Sequence, residues 1–106
     1  MAEVELETSR IFDWDTFHDV CSEVFGFPEF YGRNMNAWID CLTYLDDGMT
    51  KFTLGAGELL LIRVTEFKTF SASYPELAST FLECVAFVNR RALDCGEPPQ
   101  LALVLC

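Results

Sequence analysis

Polar and apolar residues alternate from Val4 to Thr8, the period of a strand with one face exposed. Leu59 to Val64 and Leu101 to Leu105 are apolar runs of strand length and predict two further strands, buried on both faces. Between these segments the spacing lengthens to three and four. Phe17, Val20, Cys21 and Val24 mark one buried face of a first helix that starts with Asp15 as its N-cap and stops at Gly26. A second helix is predicted from Asn34 to Asp46, with Met35, Trp38, Ile39, Leu42 and Leu45 on or near its inward side and Gly48 in its exit turn. Thr65 is expected to cap a short helix through Phe70. Ser73-Tyr74-Pro75-Glu76 reads as a capping box opening a longer helix that turns Leu77, Phe81, Cys84, Val85, Val88 and Ala92 inward. Strand, two helices, strand, two helices, strand predicts an α/β fold with a parallel sheet, because each strand pair is joined by a helical crossover.

A chain of 106 residues, half of them hydrophobic, predicts a single domain over 1–106 that buries one core without staples. Its 17 acids against 7 Lys and Arg give a net charge of -10, which excludes a nucleic-acid backbone as partner and favours a basic protein. The same charge also serves solubility. The five cysteines form no CxxC pair and lack the His spacing of a zinc site, so neither a metal nor a cofactor is expected. Their odd number, without a signal-peptide pattern, predicts reduced thiols in the cytoplasm. The longest aliphatic run, Leu59 to Ile62, is far short of the ~20 residues of a membrane span.

Opposite the apolar side of the second helix, Asn36, Asp40, Thr43 and Asp47 follow at intervals of four, three and four, a polar stripe suited to contact. Asp46 and Asp47 are expected in the last helical turn, against the negative end of its dipole. Contact with a partner and an ordinary Asp-Asp-Gly turn both account for them.

The segment from Phe27 to Thr43 carries Pro28-Glu29, Tyr31-Gly32, Asn34, Ala37 and Asp40-Cys41-Leu42-Thr43. In these positions it resembles the barstar family of intracellular ribonuclease inhibitors. The resemblance implies a three-stranded parallel sheet packed with about four helices. It also implies a noncovalent inhibitor or immunity protein whose residue at Asp40 occupies a phosphate position in the active site of a basic ribonuclease or related toxin. Asn36 and Thr43 are then hydrogen-bonding neighbours, Phe30, Tyr31 and Ile39 the apolar margin, and Asp46 and Asp47 sources of steering. The chain departs from the family at Phe30, Asn36, Ile39 and Leu45, where the family has a contacting Tyr, an acid and two Trp. The stretch Asn89-Arg90-Arg91 stands where acids are expected, and its charge would repel a basic active site; Glu83 is a substitute. The loop from Gly48 to Glu58 is longer than the family's and lies beside the proposed face. The free protein is expected to be a monomer. A non-inhibitory interaction module on the same scaffold is the alternative.

An enzyme is not expected. His18 and Cys21 lie three residues apart, but no third orienting group or oxyanion loop accompanies them, so Cys21 is assigned to the core and His18 to the surface. The carboxylate beside Cys41 works against a thiolate there, which leaves packing as the role of that cysteine. Gly55-Ala56-Gly57 lacks the lysine and the strand-to-helix setting of a phosphate loop.

Overall fold

The computed structural model describes residues 2–106. Three parallel strands, β1 (Ala2–Leu6), β2 (Leu60–Val64) and β3 (Leu101–Leu105), lie in that spatial order with Val4, Ile62 and Leu103 in register. Four helices connect them: α1 (Trp14–Phe25) and α2 (Met35–Thr43) before β2, then α3 (Phe67–Ser73) and α4 (Pro75–Asp94) before β3. This is the three-stranded α/β arrangement that the resemblance implies.

The core faces one side of the sheet. Val4, Leu6, Leu60, Ile62, Val64 and Leu101 point into it, against Phe17, Val20, Phe25, Trp38, Leu42, Phe81 and Val88 from the helices. The expectation that β2 and β3 are buried on both faces is corrected here. Alternate positions are half-buried or exposed, including Leu61, Arg63 and Val104, and Arg63 reaches Glu3 across the strands at 3.5 Å. Apolar runs alone do not reveal that the helices cover only one side.

Several helix ends differ from those the sequence predicts. α1 is capped by Asp13 instead of Asp15: Asp13 Oδ1 accepts from the Thr16 N–H at 2.8 Å, and Thr16 Oγ1 accepts from the Asp13 N–H at 3.1 Å. Only Asp13 has a hydroxyl three residues on to complete this box. Gly26 ends the helix at φ 71°, where an added Cβ would also stand 2.9 Å from the Lys51 Cβ.

Thr65 caps nothing, because its hydroxyl accepts from the Thr8 N–H at 3.3 Å and so ties β2 to the turn after β1. α3 starts at Phe67 and continues through Ser73, which removes Ser73 as a cap for α4. Tyr74 fills that position with no side-chain bond, and Pro75 occupies the first helical turn.

α2 is capped by Asn34, whose Oδ1 accepts from the Ala37 N–H at 2.8 Å. It ends at Thr43, three residues before the predicted end. Gln100 Nε2 donates to the Leu42 and Thr43 carbonyls at 3.0 and 3.2 Å, satisfying the helix terminus from the start of β3. Asn89 on α4 holds that approach in place. Its Oδ1 accepts from the Gln100 and Leu101 N–H groups at 3.0 and 2.9 Å, and its Nδ2 donates to the Leu101 carbonyl.

Candidate functional site

The solvent side of α2 displays Asn36 and Asp40, with Thr43 half-buried at the end of the helix. Thr43 Oγ1 donates back to the Ile39 carbonyl at 2.7 Å and also lies 3.4 Å from Arg91 Nη1. Behind this side, Trp38 and Leu42 are fully enclosed. The polar and apolar faces read from the sequence are therefore both present, and the spacing that predicted them places Asp40 in the middle of the exposed one.

The aromatic margin is composed differently from the expectation. Phe30 is 75% exposed and projects from the loop ahead of α2. Tyr31 and Ile39 are only 9% exposed each. In the free chain both are therefore nearly enclosed: Tyr31 packs on Phe27 with ring centroids 4.5 Å apart, and Ile39 belongs to the core. Leu45, the position expected to stand for an aromatic contact, is enclosed, while its neighbour Tyr44 is 55% exposed. Tyr44 went unassigned in the sequence reading, although Asn36, Asp40 and Tyr44 repeat at intervals of four, which is itself a helical face.

Asp46 and Asp47 lie beyond α2, within a wide turn over Leu45–Met49 that closes at Gly48 with φ 82°. They do not oppose the dipole of its last turn, as the longer predicted helix required. Asp46 Oδ1 accepts from the Leu54 N–H at 2.7 Å and anchors the long loop, whereas Asp47 is exposed. The loop itself runs beside the end of α2 and meets the Glu97 to Gln100 turn around a shallow groove lined by Asp46, Leu54, Gly55 and Pro99.

The expectation for Asn89-Arg90-Arg91 is resolved residue by residue. Asn89 staples α4 to β3, and Arg90 is exposed with Asp94 at 3.5 Å. Arg91 turns toward α2, where its Nη1 donates to Asp40 Oδ1 at 2.9 Å. Nothing in the local sequence of either helix signals this pair. Glu83, the expected substitute acid, lines a separate groove with Phe87, Arg90 and Leu93.

The loop from Phe27 to Asn34 is held from below by His18. The expectation of a surface histidine is overturned: His18 is buried, its Nδ1 lies 2.6 Å from the Tyr31 hydroxyl, and its ring stacks on Trp14. Residues 18, 21 and 25 share one face of α1, and the loop folds over that face. Arg33, at φ 55°, fixes the loop's far end through Asp19 at 2.8 Å and Asp15 at 3.4 Å.

Burial, followed by the nearby Arg33 charge, holds the His18 pKa below its ordinary value. The unfolded chain then takes up this proton first as pH falls. Stability present above about pH 6.5 is therefore expected to decline toward the lower, folded-state value and to level off beneath it. A proton NMR titration of the His18 ring is expected to give a midpoint below 6.5, and a midpoint at or above 6.5 would contradict this account.

Cys21 and Cys41 are both buried free thiols. Burial pushes Cys21 up to about 12, and burial followed by the Asp40 charge raises Cys41, so both remain protonated thiols in the core. Among the described residues, no three His, Cys, Asp or Glu side chains gather as a metal site, and no helix is long and apolar enough to cross a membrane.

No curated protein sequence matches the chain. The family described as Barstar (barnase inhibitor) matches residues 1–104, nearly the whole length. With three parallel strands, four helices and the Asn34-capped helix that carries Asp40, this chain belongs to the barstar family.

Proposed function

We propose that the chain is an inhibitor, or immunity protein, that covers the active site of a basic ribonuclease or a related toxin without forming a covalent bond. The observation that carries this reading is the exposed carboxylate of Asp40 at the centre of α2, with Asn36 one turn before it and Tyr44 one turn after. A carboxylate presented on a rigid helix can take the place of a substrate phosphate among the enzyme's cations. Phe30 and Tyr44 supply exposed aromatic area on either side, the kind of surface that carries binding energy once water is excluded. Asp47 and the net charge of -10 would steer a basic partner toward the face.

On this reading the protein acts in the cytoplasm as a monomer until it meets the enzyme, and residues 1–106 work as one binding unit. The test is a titration of RNA hydrolysis by barnase, and by other basic ribonucleases, with the purified chain. One-to-one loss of activity is expected, and activity that persists in a large excess of the chain would remove the inhibitor role. The Asp40–Arg91 ion pair favours a second reading, a non-inhibitory interaction module whose central acid is already partnered. Capture of a protein from the cell without loss of any nuclease activity would support that reading.

A further inference from the structure

Arg91 is the only cation that α4 brings onto Asp40 among the described residues. Its Nη1 donates to Asp40 Oδ1 at 2.9 Å and lies 3.4 Å from Thr43 Oγ1, while its guanidinium sits 5.2 Å from the centre of the Phe87 ring. The side chains of Arg91 and Asp40 are 40% and 57% exposed, so both remain hydrated. The pair borders a groove of about 460 Å³ shared with Tyr44, Asp94, Cys95 and Gln100.

We propose that Arg91 is an internal counter-ion occupying the place on Asp40 that a partner's cation must take, and that it thereby determines which basic surfaces the face accepts. The inference rests on the inhibitor reading. An exposed ion pair is held together weakly, so Arg91 is displaceable. A single hydrated lysine on a partner gains little from Asp40 beyond what Arg91 already provides. A fixed cluster of cations gains more, because its charges repel one another and a carboxylate placed among them relieves that repulsion. Arg91 therefore sets a threshold that a preorganised phosphate site passes and a diffusely basic surface does not. After displacement the guanidinium can remain on the half-exposed Phe87 ring and point to solvent.

The test uses barnase as the probe, with dissociation constants measured at physiological salt for the parent chain, Arg91→Met, Asp40→Ala and the double variant. Methionine keeps the apolar cover on Phe87 and removes the charge; Arg91→Ala serves as a second variant if methionine disturbs folding. Arg91→Met is expected to tighten binding about tenfold when Asp40 is present, by removing a like charge from the interface. In the Asp40→Ala background the gain should shrink below about threefold, the long-range remainder of one added negative charge. An unchanged or weakened constant in the Asp40 background overturns the proposal, and weakening would mean that Arg91 itself grips the partner. Equal tightening in both backgrounds overturns it as well, since the effect would then be net charge alone. If neither the parent nor the Arg91 variants bind barnase or any of the other basic ribonucleases up to about 10 µM, the inhibitor reading fails and this inference falls with it.

Discussion

Replacement of Asp40 by alanine is expected to weaken inhibition of a basic ribonuclease by at least about 30-fold while leaving the fold intact. The asymmetry follows from where the carboxylate sits in each state. In the free protein it is solvated and 57% exposed, and its partner Arg91 is also exposed, so removing it should change stability by no more than about 1 kcal/mol. In the proposed complex the same carboxylate would be desolvated among the partner's cations. Its loss would leave those cations buried without compensation, which is far costlier than the loss of a surface pair. Asp40→Asn separates charge from shape, because it keeps the volume and one acceptor. If charge is the determinant, asparagine should behave nearly as badly as alanine. The measurement is an inhibition titration paired with thermal melting; a change of less than about threefold in inhibition, with melting unaltered, would remove α2 from the contact.

The three strands and all four helices were legible because hydrophobic spacing reports an element's inward face directly, and their alternation gave the parallel sense of the sheet. The helix ends were less so. Asp13 rather than Asp15 caps α1 because Thr16 completes its box, Glu66 rather than Thr65 precedes α3 because the Thr65 hydroxyl is bonded to Thr8, and Tyr74 rather than Ser73 precedes α4 because α3 runs on through Ser73. Gln100 acts on the end of α2 from 57 residues away. No local pattern contains such a contact.

The candidate site divides in the same way. Asn36 and Asp40 were found by periodicity within one helix, which also implied Tyr44 once the interval of four was followed. The positive charge of Arg91 was legible as one that faces a basic partner, but its ion pair with Asp40 across the helix interface was not. Its effect depends on which face of α4 meets α2, and a hydrophobic period does not say which polar neighbours two packed helices share. His18 failed for a related reason. A histidine is acceptable in a core only if something accepts or donates a hydrogen bond there, and that group, the Tyr31 hydroxyl, arrives from the following loop.

The second large effect is expected at Trp38, on the opposite side of the same helix. Trp38→Ala should reduce stability by about 3–5 kcal/mol, a large share of the roughly 5–15 kcal/mol that holds a domain of this size. The ring is fully enclosed and meets Phe25 of α1 edge-on at 6.2 Å and Phe81 of α4 at 5.9 Å, so one side chain joins three helices. Packing accounts for its contribution, since the indole N–H approaches only the weakly accepting Cys21 thiol and makes no hydrogen bond of ordinary length. Trp38→Phe should consequently cost less than half as much as alanine. Urea denaturation gives both values. In molecules that remain folded, inhibition should survive, because Trp38 is enclosed in the core, away from the exposed side of α2 that carries Asp40. A loss below about 1 kcal/mol for alanine would mean that α2 is positioned mainly by its caps, Asn34 and Gln100, and that the aromatic contacts behind Asp40 are incidental to holding it.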